Sequence, residues 1–173
     1  LSDRGYAAMP LMLDWGPDST VFTVTSGDFQ KNSLKIFGHA YTDDALLPLR
    51  ELFQYTQTLY AYRLNSGGAK AACAYCTAKY SGIAGNKLYV VIAANADNAD
   101  LFDVSLYYDT TLLDTQTVAA ATALKDNDFV TWKTTASLTA TAKTPLTGGT
   151  NGTANAAAHQ AALDKFESYS FNT

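Results

Sequence analysis

Charge is scarce in this chain. Asp, Glu, Lys and Arg make up only 16% of its 173 residues, and twelve cations against sixteen anions leave a net charge of −4. A surface so poor in positive charge lacks the counterion-driven attraction that holds nucleic acid or an anionic membrane. Long apolar runs are missing too: no stretch approaches the roughly 18 residues that span a bilayer, and no basic-then-apolar signal segment opens the chain. Two cysteines are too few for a disulfide framework, so nothing points to secretion, and the Asn151-Gly152-Thr153 glycosylation pattern has no secretory route behind it. An apolar share of 47% excludes disorder for most of the chain. The expectation is a soluble globular protein whose partners are held by the shape of its surface. Leu1 in place of Met, and a closing "SFNT" that follows a helix as though a strand were beginning, suggest a piece of a longer protein.

Periodicity divides the chain into two textures. "YAAMPLMLDWGP" is apolar from Tyr6 to Leu13 and stops at Trp15, Gly16 and Pro17, which reads as a buried strand closed by a turn. "TVFTVTS" alternates and is β-branched, a second strand before a turn at Gly27-Asp28. Between Thr42 and Tyr55 the period becomes helical, with Leu46, Leu49, Leu52 and Phe53 on one face and Thr42 as N-cap. Pro48 fits only if the helix starts near it or bends there. "TLYAYRL" is an aromatic strand, so the first part reads β-β-α-β, while residues 69–80 are Ala-rich and mixed. After "SGIAGN" the runs "KLYVVIAA", "LFDVSLYY", "TLLDTQTVA", "FVTWKT" and "SLTATAK" are short and β-rich, with a helical turn near "TALKDND". "TANAAAHQAALDKFESY" closes the chain as a helix, capped by Thr153 or Asn155, with an apolar stripe of Ala158, Ala162, Leu163 and Phe166. The expected fold class is α+β: an α/β layer segment over residues 1–80, a small antiparallel β-sandwich or barrel over 81–146, and, over 147–173, the first helix of a further α/β domain.

Four constellations could carry chemistry. "PLTGGTNGT" sets Gly148, Gly149 and Gly152 between a strand and a helix, where nucleotide enzymes cradle phosphate. A P-loop needs Lys and a hydroxyl residue after its last glycine, and here Thr153 and Ala154 follow; the dinucleotide spacing fails as well. Cys73 and Cys76, in "CAYC", invite a redox or zinc reading. They are not preceded by the strand and turn that put such a pair at a helix N-terminus, and zinc would need the distant His39 and His159 to converge on them. As single histidines, His39 and His159 have no G-x-S-x-G or comparable signature to make them catalytic bases. In "NADNAD", Asn95, Asp97, Asn98 and Asp100 lack the glycine and distal Glu of a calcium loop and read as a solvated hairpin. Eleven tyrosines, several close together in "LYAYRL" and "SLYYD", leave some for the core and others for a surface that interfaces favour. No catalytic, cofactor-binding or metal-ligating residue is assigned.

Taken in order, several of these segments resemble the tail sheath proteins of contractile bacteriophages and related phage-tail-like particles. "RGYAAMPLMLDWGP" is similar to the family's opening strand with its W-G-P turn, and "VFTVTSGDF" to the strand and Asp-Phe that follow. "LRELFQYTQTLYAYRLNSGG" resembles the next helix, aromatic strand and Arg-containing turn. "AKYSGIAGNKLYVVI" resembles the junction into the β-rich domain, and "LTGGTNGT" the opening of the next α/β domain. Ala84 departs from the pattern, because a basic residue often precedes that Gly-Asn. The N-terminal arm, C-terminal domain and C-terminal arm usual in the family are not in this sequence.

The resemblance implies a non-enzymatic structural subunit, located in the virion tail sheath and assembled in the cytoplasm of the host bacterium. It would stack with copies of itself in hexameric rings around an inner tail tube protein, with the baseplate and tail terminator as further contacts, and would drive contraction. It implies no cofactor, no nucleic acid and no membrane. Two other readings stay open on the residues alone: a β-sandwich recognition module using surface tyrosines for glycan or adhesin-like binding, and a small redox or metal enzyme built on Cys73 and Cys76.

Overall fold

The computed structural model describes residues 5–171. Its chain divides into two compact units, Leu1–Gly68 with Asn151–Thr173, and Ala69–Thr150. These units meet at 68/69 and 150/151, whereas the sequence expectation sets its boundaries at 80/81 and 146/147. Arg4, at the head of the first motif, and Asn172 and Thr173, in the expected closing strand, lie outside the described residues.

In the first unit, β1 (Tyr6–Leu11), β2 (Val21–Thr25) and β3 (Thr58–Arg63) form a sheet in the order β1-β3-β2, with β1 parallel and β2 antiparallel to β3. Strand alternation gives β3 two apolar faces. Leu59 and Ala61 turn to a core shared with Ala7, Val24, Phe29, Phe37, Leu46 and Leu49. Tyr60, Tyr62 and the following Leu64 serve a second cluster with Ala162 and Phe166 of α3 (Ala156–Phe166). The last helix thus completes this unit.

Helix α1 (Ser26–Phe37) occupies the stretch where a turn is expected at Gly27-Asp28. The signals lie in the cap: the Thr25 side chain accepts from Asp28 N, Asp28 sits in the first turn, and Gly38 closes the helix in the left-handed conformation at φ 72°. Gly27 occupies that first turn, where the weak helix propensity of glycine mimics a turn signal. Phe29, Ser33 and Phe37, four apart, face inward. The Phe29 ring stacks on Phe53 at 4.8 Å and meets Phe37 edge-on at 5.9 Å, each contact adding about 0.5–1.5 kcal/mol beyond burial. The helix expected over Thr42–Tyr55 is a 3-10 turn, Asp44–Leu46, followed by α2 (Leu47–Leu52). Its N-cap is Asp43, whose carboxylate accepts from Ala45 N, and not Thr42. Pro48 lies in the first turn of α2, where a missing N–H costs nothing, which resolves its awkwardness.

In the second unit, the Ala-rich stretch is a hairpin of β4 (Lys70–Ala72) and β5 (Cys76–Ser81). Helix propensity loses here because Ala71, Cys76 and Ala78 fill tight inward positions, and because β5 also pairs with β9 (Val130–Trp132). A second antiparallel sheet follows the order β10-β6-β7-β8, from β6 (Leu88–Ala94), β7 (Phe102–Tyr108), β8 (Thr111–Val118) and β10 (Thr141–Pro145). Alternate residues are buried, Leu88, Val90 and Ile92 on β6 and Val104, Leu106 and Tyr108 on β7. On the other face Tyr89 and Tyr107, opposite each other in register, stack at 5.0 Å and 3°, and Lys143 Nζ lies 4.4 Å from the Tyr89 centroid. The helical turn expected near "TALKDND" is a 3-10 turn at Ala121–Ala123.

Of the apolar stripe expected on the last helix, Ala162 and Phe166 are buried, whereas Leu163 is 58% exposed. Leu59→Ala is expected to lower the unfolding free energy by about 2–5 kcal/mol, as for other buried leucines. Leu163→Ala should change it by less than about 0.5 kcal/mol. Urea unfolding of the two variants checks both values, and equal losses would place Leu163 in a core.

Candidate functional site

The glycine-rich segment is built for close approach. Gly148 adopts φ 83°, a region that L side chains rarely enter. A Cβ on Gly149 would stand 2.4 Å from Gly82 O, and one on Gly152 only 1.8 Å from Ser66 O. Three of the loop's amides are also engaged. Thr147 N donates to Ala72 O (3.0 Å), Gly149 N to Asn86 Oδ1 (2.8 Å) and Thr150 N to Ala69 O (3.1 Å). Asn86 returns its Nδ2–H to Gly149 O at 2.9 Å, so one carboxamide grips both polar groups of that glycine. A phosphate cradle needs such N–H groups pointing at a ligand. Here they close the second unit's own backbone, and Asn86 and Gly149 belong to two of the sequence segments singled out above.

Around Trp15 the first unit has a polar latch. The Trp15 side chain is fully buried and donates from Nε1 to Lys35 O at 3.0 Å. Arg63, at the end of β3, is fully buried as well; its Nη1 donates to Gly16 O at 3.0 Å and lies 3.3 Å from Asp18 Oδ1. Burial pushes the Arg63 pKa down, and the carboxylates of Asp18 and Asp14 push back. The Asn65 Oδ1 accepts from Leu13 N at 2.8 Å. In the sequence the W-G-P turn and the Arg-containing turn stand as separate motifs. That they bind each other has no local signal, because 47 residues separate Gly16 from Arg63.

His39 lies beside this latch in a pocket lined also by Asp14, Leu46, Leu49 and Asn65. Its Nε2 is 3.0 Å from both Asp14 carboxylate oxygens, and its Nδ1 is 2.9 Å from Asp43 Oδ2. Both ring nitrogens therefore face carboxylates of the same unit. The ring ties the Trp15 turn to the segment after α1. His159 is exposed on α3, and the two histidines sit in the first unit while Cys73 and Cys76 sit in the second.

The "NADNAD" loop caps itself. Asn95 Oδ1 accepts from Asp97 N and Asn98 N, Asn98 Oδ1 accepts from Asp100 N, and Asn95 Nδ2 donates to the Asp103 carboxylate at 3.0 and 3.1 Å. The Thr117 hydroxyl and then the Asn95 amide hold the Asp103 pKa below the ordinary carboxylate value. These are the turn contacts expected of a hairpin connecting β6 and β7.

Two family models match the chain in succession. The Tail sheath protein Gp18 domain III N-terminal region covers residues 4–64, and the Phage tail sheath protein beta-sandwich domain covers residues 66–151, nearly the second unit's bounds. The chain belongs to the phage tail sheath protein family. Among curated relatives of this sheath chain, Phage-like element PBSX protein XkdK of Bacillus subtilis (strain 168) is 36% identical over 163 residues, covering 89% of the chain and 33% of the relative. Uncharacterized protein YqbK of the same strain is 34% identical over 156 residues, covering 84% and 31%. The sheath tail protein from Desulfitobacterium hafniense superposes with a TM-score of 0.89 at 36% identity, over 99% of the chain and 41% of that structure. The one from Listeria innocua does so with a TM-score of 0.84 at 29% identity, over 99% and 40%. The chain thus spans about a third of the length of the curated relatives it matches.

If the glycines serve packing, Gly149→Ala and Gly152→Ala should each destabilise by about 1–3 kcal/mol or more, as overpacking does. Gly27→Ala, in open space on α1, should be neutral or stabilising by up to about 1 kcal/mol. Added ATP or inorganic phosphate should leave the Tm unchanged; a rise in Tm with either would restore a phosphate site.

Proposed function

We propose that this sheath-family chain is part of a non-catalytic subunit of a contractile tail sheath. The subunit stacks in hexameric rings around an inner tail tube and drives contraction of a phage or phage-like particle. The observation that carries this reading is the succession of two sheath domain models along the chain, each on its own folded unit. The physical character of the chain supports it. Each unit has its own buried core, which suits bodies that shift between two packings while keeping their internal structure. A charge content of 16% and exposed Met12, Leu47, Ile83 and Leu112 suit broad contacts with like subunits. The partners would be copies of the same protein and a tube protein, with baseplate and terminator contacts at the ends. Assembly would occur in the cytoplasm of the host bacterium.

A full-length protein that carries this chain is expected to form tubes visible by negative-stain electron microscopy, while the 173 residues alone, about a third of the length of the relatives they match, are expected to stay unassembled. A longer protein that remains monomeric at high concentration under assembly conditions would remove the reading.

A further inference from the structure

The "CAYC" stretch that the assembly reading leaves unused forms the tip of the β4–β5 hairpin. Cys73 N donates to Cys76 O at 2.9 Å across a two-residue turn of Ala74 and Tyr75, so the cysteines stand opposite each other. Their sulfurs are 3.7 Å apart. Cys73 is half-buried and Cys76 fully buried. The hairpin is clamped around them: Lys133 N donates to Tyr75 O at 2.8 Å, Lys133 Nζ to Cys73 O at 2.6 Å, and the Tyr75 hydroxyl is 3.0 Å from Thr139 Oγ1.

The geometry points to a reversible redox site in the β-sandwich unit: Cys73 and Cys76 close into an intramolecular disulfide on meeting a small disulfide of the glutathione type, with Cys73 attacking first. Bond formation needs the sulfurs to come from 3.7 Å to about 2.05 Å, a movement that side-chain rotation supplies between opposed strand residues. Exposure sets the order of events, because only Cys73 can be reached by the incoming disulfide. The Cys73 thiolate attacks one sulfur of the small disulfide, whose S–S bond breaks and releases one thiolate. The other half remains on Cys73 as a mixed disulfide. The small thiolate released in the first step takes the Cys76 proton as Cys76 attacks the Cys73 sulfur; the mixed bond breaks, and a second small thiolate leaves to be protonated by solvent. Two protein thiols lose two electrons, and one small disulfide becomes two thiols.

The surroundings favour this division of roles. The Cys76 thiol donates toward Cys73, and the Tyr75 and Cys76 amides and the Lys133 ammonium add to it, bringing the Cys73 pKa down to about 6 against the opposing effect of burial. The same hydrogen bond, with burial, pushes the Cys76 pKa up. Near neutral pH one sulfur is the nucleophile and the other holds its proton until attack. Nothing here uses a helix N-terminus; a hydrogen-bonded turn does the equivalent.

Both cysteines fall in one tryptic peptide, residues 71–79, between Lys70 and Lys79. After the folded protein carrying this chain is incubated with oxidised glutathione and digested, that peptide should be lighter by two hydrogens, carry no glutathione, and regain its mass with reductant. In Cys76→Ser the peptide should keep one glutathionyl group on Cys73. In Cys73→Ser, Cys76 should stay unmodified until the protein is unfolded. Alkylation of the reduced wild type by iodoacetamide should modify Cys73 first, with a rate that rises through a pH of about 6. A wild-type peptide that keeps both thiols free, or that gains glutathione on both cysteines, overturns the proposal without reference to either variant.

Discussion

Strand β3 is apolar on both faces, and this constraint organises the first unit. A strand that buries Leu59 and Ala61 on one side and Tyr62 on the other needs cover on both. The segment between β2 and β3 provides α1 and α2 for one face. The other face waits for α3, whose sequence begins only after the whole second unit has been made. The first unit therefore owes its second hydrophobic cluster to residues far along the chain, and its Tyr60 and Tyr62 would otherwise meet water.

That dependence explains which parts of the fold were legible. Strands with clean alternation, such as β6 and β7, are read correctly from their own residues, because one covered face writes a period of two into the sequence. The antiparallel β-rich segment is legible for the same reason. Helix α1 is not, since Gly27 and Asp28 imitate a turn while Thr25, Phe29 and Phe37 carry the helix. The β4–β5 hairpin is hidden by alanines and small thiols that fit a tight interior. The allegiance of residues 69–80 and of α3 is not legible locally, because it is decided by partners that are remote in sequence.

For the candidate sites, local pattern shows what a segment lacks better than what it joins. The glycine-rich loop lacks the Lys of a P-loop, and its Thr147, Gly149 and Thr150 amides donate to Ala72, Asn86 and Ala69. The tyrosine pairs divide less simply than adjacency suggests. Tyr60 and Tyr62, two apart, share one face under α3, while Tyr107 and Tyr108 part, one stacking outside on Tyr89 and the other buried. The family resemblance rested on short motifs, several of which are contact points: Trp15 to Lys35, Gly16 to Arg63, and Asn86 to Gly149.

Within the first unit, Ser66 and Thr153 are bridge partners although 86 intervening residues separate them in sequence. Backbone that leaves at Ser66 and returns at Thr153 reads, from the viewpoint of that unit, like the two limbs of a hairpin whose tip has been replaced by a domain. A graft at such a place demands little of its host, since the limbs are already side by side before and after. The β-sandwich can then be enlarged, trimmed or exchanged in evolution while the first unit's own sheet keeps its register, so diversity in the inserted body and uniformity in the host are compatible outcomes of one pairing.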